Sequence, residues 1–248
     1  MTDNQNIKLG IDFGGSGIKG ALVNTETGEV VSDRHRIPTP FPATPESVSK
    51  TMKEIVDFFE YRGEVGIAFP SAIQNDIVRT ASNIDESWIG TNVKELFDKT
   101  VGVPTFVLND ADAAGMAEMK FGHGKEVNGL VIIITVDTGL GTALFVNKVL
   151  VPNTELGHIY YKKKIAEDWV SDAVRKRYEL PWHKWAKRFD KYLHYMEKLF
   201  YPEKIIIGGG ISKKFHQYSE YLVRTESQVV PAHLQNFAGI IGAAVSTL

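Results

Sequence analysis

Two stretches of this chain repeat one plan, and that plan limits the fold more than any other feature. "GIDFGGSGIKGALV" (10–23) and "IIITVDTGLGTALFV" (132–146) each carry an apolar strand into a glycine turn and back into a second strand. Glycine-bearing turns between β-branched runs read as hairpins, and two such units far apart in one chain suggest a duplicated lobe. Around the first, residues 7–13 and 17–23 read as strands joined by Gly14-Gly15-Ser16-Gly17, with a third strand after "TETGE". Thr44 then caps a helix that begins at Pro45 and runs to about Tyr61. "GEVGIAF" and "SAIQNDIVRT" read as strands, "NVKELFDKTVG" as a short helix stopped by glycine, and "PTFVL" as a further strand. The pattern then restarts: a helix over 110–121, strands "NGLVIIITV" and "TALFVN", two charged amphipathic helices, strand "KIIIGGG", and helices to the end. Alternating strands and helices make this an α/β chain. The expected division is 1–108, joined by a C-terminal helix 236–248, and 109–235.

Composition removes several classes of function. Of 248 residues, 43% are apolar and 23% charged, with a net charge of −2, so no general attraction to nucleic acid or membrane is expected. There is no cysteine, which excludes disulfides, a thiol nucleophile and cysteine-bound zinc. Runs such as "LVIIITV" are too short to span a membrane, and "MTDNQNIKLG" is too polar for a secretory leader; the expected location is cytoplasmic. The charge is uneven. Residues 1–159 hold 13 Lys and Arg against 21 Asp and Glu, whereas 160–224 hold 15 against 8. The basic segment is either a set of solvated helix faces or a track for a polyanion.

Three glycine clusters, "DFGGSG", "DTGLGT" and "GGGIS", each follow an apolar strand, and together they suggest backbone N–H groups gathered around phosphate. None has Walker A or dinucleotide-fingerprint spacing. Asp12 precedes the first cluster, where a carboxylate beside phosphate would repel it unless a divalent cation intervened; Mg²⁺ is therefore expected, held by Asp12 through water. Lys19 either meets phosphate or lies at the surface. Thr138 and Thr142 can add hydroxyl donors. In "VLNDADAAGMAEMKFG", Asp110 is either the N-cap of a helix or a carboxylate facing outward over a strand end, where α/β proteins place ligands; Asp112 reads as helix surface. "NTELGHIYY" offers Glu155 and His158 for sugar hydroxyls, and a metal pair there lacks a third ligand.

In this order, "IDFGGSGIKGALV", "LNDADAA", "TGLGTA", "ELGH" and "IIIGGGIS" resemble the ROK family of sugar kinases in the actin/hexokinase superfamily. "RTASNIDESWIGTNV", "LVPNTELGH" and "LQNFAGIIGAA" are similar to that family's polyphosphate glucokinases. The resemblance implies a two-lobed actin/hexokinase-like (ribonuclease H-like) fold with a mixed sheet in each lobe, sugar held in a cleft, and glucose phosphorylated by polyphosphate or ATP in a homodimer. It makes Asp110 the base facing the sugar 6-hydroxyl, with Asn83, Asn109, Glu155 and His158 as sugar contacts. Asp12, Gly14, Gly15, Ser16, Lys19, Thr138, Gly139 and Gly141 would serve the donor, with Gly208, Gly209 and Gly210 at its far end. Two departures stand out. The zinc-binding cysteines that many members carry after Gly-His are missing, which implies no zinc. Asp137 also stands where relatives usually have glycine, and a carboxylate facing donor phosphates would weaken binding unless it turned away or helped hold Mg²⁺. Relatives that act as sugar-responsive repressors carry an N-terminal DNA-binding domain, which this chain is not expected to have.

Overall fold

Strand β1 (Ile7–Gly14) pairs antiparallel with β2 (Gly17–Asn24), and the pairing runs from Ile7 and Asn24 up to Gly14 and Gly17, leaving Gly15-Ser16 as the turn. This hairpin belongs to a computed structural model that describes residues 6–82 and 84–248, so Asn83, an expected sugar contact, lies outside the described residues. The chain divides into two units, Met1–Ala117 with Phe237–Leu248, and Glu118–Asn236.

In the first unit the expected third strand is broken: Val30 bridges to Val23, and β3 (His35–Ile37) pairs further on with Ile18–Gly20. Thr44 caps helix α1 (Pro45–Phe58) through a reciprocal capping box with Ser47, and the helix buries Val48, Met52, Ile55 and Val56. Strand β4 (Val65–Phe69) is buried throughout, as a central parallel strand must be. "SAIQNDIVRT" is a small hairpin instead of one strand. Strands β5 (Ile73–Gln74) and β6 (Ile77–Val78) turn at Asn75 and Asp76, both left-handed at φ 52° and 63°, as a two-residue hairpin loop favours. Helix α2 (Val93–Val101) ends at Gly102 in the left-handed region, and β7 (Thr105–Asn109) leads into α3 (Asp110–Phe121). The sheet order is β3-β2-β1-β4-β7. A C-terminal helix, Ala238–Val245, packs on this sheet backbone to backbone. A methyl at Gly10 would strike the Ile240 carbonyl, one at Gly66 the Ala243 carbonyl, and one at Gly242 the Ala113 carbonyl of α3. Asp112, beside Ala113 in the sequence, is buried, 1% exposed, and not on a helix surface as expected.

The second unit repeats the sheet. Strands β8 (Leu130–Val136), β9 (Leu140–Val146) and β10 (Val149–Val151) form an antiparallel meander. Strands β11 (Tyr160–Tyr161) and β12 (Lys164–Ile165) make a separate hairpin. Three helices follow where two were expected, because Ser171 ends α4 (Glu167–Val170) and caps α5 (Asp172–Arg177) before α6 (Trp182–Phe200). Helix α6 buries Trp185, Phe189, Tyr192, Leu193 and Met196 along one face. Strand β13 (Lys204–Gly208) joins β8, and β14 (Gln228–Pro231) lies where only helices were expected. Four residues ending in proline give little periodic signal, and an edge strand accepts proline because its outer N–H has no ladder partner. The order β10-β9-β8-β13-β14 matches the first sheet, with two antiparallel and then two parallel pairings in each.

Candidate active site

The expected residues are divided between the two units. In the first, the β1–β2 register sets Asp12 opposite Lys19, and Lys19 opposite Arg36 of β3. Lys19 Nζ lies 3.2 Å from Asp12 Oδ2, with both side chains about three-quarters buried, so the ammonium already relieves part of the charge for which a metal was invoked. A methyl at Gly239, in the first turn of the C-terminal helix, would come 3.1 Å from Asp12 Oδ1, which places the carboxylate beside a helix N-terminus. The Gly14-Gly15-Ser16 turn is held from behind: Arg36 Nη2 donates to the Ser16 carbonyl at 2.5 Å and Thr39 Oγ1 to that of Gly14 at 2.6 Å. A methyl at Gly15 would meet nothing within 4 Å, so packing does not require glycine there, and the turn is open to an approaching group. Mg²⁺ needs few protein ligands, one carboxylate through water and the substrate's own phosphates; Asp12 beside this open turn fits that mode. Arg36 and Thr39 escaped sequence reading, since only the register of β3 brings them to the turn.

Of the two readings of Asp110, helix cap or outward carboxylate, the cap falls to Asn109. Asn109 Oδ1 accepts from the amides of Ala111, at 2.9 Å, and Asp112, at 3.1 Å, so Asn109 caps α3, while its Nδ2 donates to the Ser71 carbonyl at 3.2 Å. It is 8% exposed. Asp110 stands half-buried as the first helical residue, its Oδ1 also accepting from Ala111 N at 2.8 Å. Trp88, which follows the undescribed Asn83, is fully buried against Phe69 and Phe97 and donates to the Ala43 carbonyl at 2.8 Å.

In the second unit two of the three glycine clusters meet. The β8–β9 turn, Asp137-Thr138-Gly139, lies against the turn after β13, because Asp137 Oδ1 accepts from Gly210 N at 2.8 Å. Gly209 is left-handed at φ 73°, and a methyl on it would sit 2.5 Å from the Val136 carbonyl oxygen. The Gly210 amide expected to face the donor is therefore held by Asp137, and Gly208 is a buried residue of β13 paired with Thr135. Gly141 pairs with Thr135 from the other side, in β9. Thr138 is exposed on the turn. Thr142 is not available as a phosphate donor: it is 2% exposed, donating to the Thr154 carbonyl and accepting from Leu156 N, which ties the "ELGH" segment to β9.

That tie brings His158 near two acids, with Nδ1 3.5 Å from Glu155 Oε2 and Nε2 3.6 Å from Glu167 Oε1. Burial raises the Glu155 pKa; His158 pulls it down and the Glu167 charge pushes it up again, for a net rise. Glu167 Oε2 also accepts from Leu140 N at 3.2 Å, linking this cluster to the glycine turn. Nothing in "IAEDWV" marks Glu167 beforehand; only the fold carries it to His158. Among the described residues no group of three or more His, Cys, Asp or Glu could hold a metal ion. Of the basic residues, Lys162 and Lys163 form the exposed β11–β12 turn, with Lys164 beside it, and Lys213 and Lys214 are exposed in the turn of 3₁₀ helix after Gly210. Arg175 differs, being paired with Asp172 at 2.6 Å and stacked 4.0 Å over Trp182. No helix among the described residues is long and apolar enough to cross a membrane.

The ROK family model matches residues 8–169, a span that contains both hairpins and the "LNDADAA" and "ELGH" segments. The chain belongs to the ROK family. This ROK chain is 44% identical to a polyphosphate glucokinase of Mycobacterium tuberculosis over 97% of its own length and 91% of the relative's. It superposes with a TM-score of 0.93 on the inorganic polyphosphate/ATP-glucomannokinase of Arthrobacter sp. strain KM, at 42% identity, covering 97% of this chain and 98% of the other. A ROK glucokinase from Streptomyces griseus, solved with glucose and AMPPNP, matches with a TM-score of 0.81 at 25% identity, covering 96% and 98%. The two sheets are those of the actin/hexokinase-like sugar kinases.

Proposed function

We propose that this protein is a polyphosphate glucokinase, transferring the terminal phosphoryl group of inorganic polyphosphate, or of ATP, to the 6-hydroxyl of glucose. The observation that carries this reading is the 44% identity to a polyphosphate glucokinase over 97% of the chain. The local geometry agrees with it: a carboxylate in the first turn of α3, an open glycine turn beside a charge-balanced aspartate, and two further glycine turns pinned together.

In the reaction the sugar oxygen bonds to the terminal phosphorus, the bond from that phosphorus to the donor chain breaks, and the hydroxyl proton passes to Asp110. The transition state is loose, with charge spread over the phosphoryl oxygens, so positioning and electrostatics supply most of the acceleration. Asp110 aims the hydroxyl and takes its proton late in the transfer. Asn109, Glu155 and His158 hold other hydroxyls, joined by Glu167, whose carboxylate orients His158. Gly14, Gly15, Ser16, Thr138, Gly139 and Gly141 face the phosphates, with the Gly209–Gly210 turn that follows buried Gly208 toward the far end; Lys19 and Arg36 add positive charge near the first turn. When bound through water to Asp12, Mg²⁺ would neutralise phosphate charge. The proposed working form is a cytoplasmic homodimer.

The second reading, a kinase that also takes mannose and ATP, draws on the structural likeness to a glucomannokinase. Initial rates with purified protein and Mg²⁺, for polyphosphate and ATP against glucose and mannose, test both. Turnover of glucose with polyphosphate is expected; no sugar phosphate from any of the four combinations removes the kinase reading.

A further inference from the structure

Asp137 is at the surface, yet its carboxylate is not idle. It takes the Gly210 amide at 2.8 Å, and methyl groups on Gly209 and Gly210 would come within 2.9 and 2.6 Å of its oxygens. Gly209, with φ 73° and ψ −172°, has a backbone that favours glycine, and it turns the amide of Gly210 toward the Asp137 carboxylate. Here the anion already present is the protein's own. Because the hydrogen bond is exposed, an incoming phosphate can compete for the same amide, but it must displace or face a fixed negative charge to do so.

We propose that Asp137 is a donor-selecting residue, holding its carboxylate at the Gly209–Gly210 turn and so disfavouring a nucleoside triphosphate relative to a linear polyphosphate. This rests on the kinase reading above. The two donors differ in how they can respond. In ATP the three phosphates end at an uncharged nucleoside, which gives basic side chains beyond the turn nothing to bind. A polyphosphate chain has no such end, and it can bend toward Lys213 and Lys214, exposed in the segment that follows Gly210.

The experiment is a calorimetric titration of Mg²⁺–ATP and Mg²⁺–tripolyphosphate, without sugar, into the wild type, Asp137→Asn and Asp137→Gly. Asparagine keeps the oxygen that accepts from Gly210 while losing the charge, so it decides the matter even if the glycine variant fails to fold. The expected result is ATP binding at least about 3-fold tighter in Asp137→Asn, the scale of one screened surface charge, with tripolyphosphate changed much less. The ratio of kcat/KM for ATP to that for polyphosphate should rise in step. Equal shifts for both ligands, an unchanged ATP affinity, or no binding of either ligand by any of the three proteins overturns the proposal. A protein that binds as expected but transfers phosphate to no sugar would instead remove the kinase reading and leave this role standing.

Discussion

Asn109 and Asp110 stand side by side where β7 enters α3. Both are residue types that cap helices; the Asn109 amide oxygen takes the amides of Ala111 and Asp112, and Asp110 Oδ1 shares that of Ala111. Asp110→Asn is expected to lower turnover at least ~10²-fold while leaving the KM for sugar nearly unchanged, measured by steady-state kinetics; full turnover in that variant removes Asp110 from the mechanism. Glu155 makes a second prediction. Its folded pKa is raised above the ordinary 4.5, mainly by burial, so between those two values the folded state holds the proton more tightly than the unfolded chain. Stability from this group is present below 4.5 and is lost as pH rises through the raised value. Melting temperatures across mildly acidic pH should show that decline in the wild type and a flatter profile in Glu155→Gln. Identical profiles would mean that the carboxylate is not shifted.

Among the elements, the C-terminal helix is the most tightly constrained. Its "AGIIGAAV" sequence is mostly glycine and alanine beside Ile240, Ile241 and Val245, and Gly10 and Gly66 leave room on the strands beneath for the backbone at Ile240 and Ala243. The carbonyl of Ala243 lies where a Gly66 methyl would go, and it is backbone, so it cannot swing aside as a side chain would. Gly66→Ala should therefore destabilise the fold by about 1–3 kcal/mol or more, read from a lower denaturant midpoint. A midpoint equal to wild type would show that the helix does not sit that close. The same helix brings Gly239 up to Asp12, so a packing fault on the sheet is expected to reach the phosphate turn as well.

At the scale of the whole molecule, charge separation outweighs net charge. An excess of base in residues 160–224 is hidden by an acidic remainder, and Lys162, Lys163, Lys164, Lys213 and Lys214 all carry theirs in the open. If these residues track a polyanion, its binding releases counterions, and the logarithm of affinity should fall steeply with the logarithm of salt concentration. We expect a slope for long-chain polyphosphate well above that for ATP in titrations over a range of KCl concentrations. Equal slopes would reduce the basic region to a solvated surface.

The hairpins, the capped helix α1 and the restart of the pattern were legible in the chain because each depends on neighbours in sequence: apolar periodicity, turn residues, and a cap three residues from its partner. The order of motifs was also enough to indicate the family and the chemistry. What the chain could not reveal depends on residues far apart in it. Strand β14 is short and defined by its pairing with β13, the close approach of Gly242 to Ala113 joins residues more than a hundred positions apart, and the place of Glu167 is set by its meeting with His158. Asp137 is the clearest case: its sequence position raised only the question of repulsion, and it took the fold to bring Gly210 within hydrogen-bonding reach. Local order follows from short-range sterics and burial pattern, whereas partners across the fold are decided only when the whole set of strands and helices has packed.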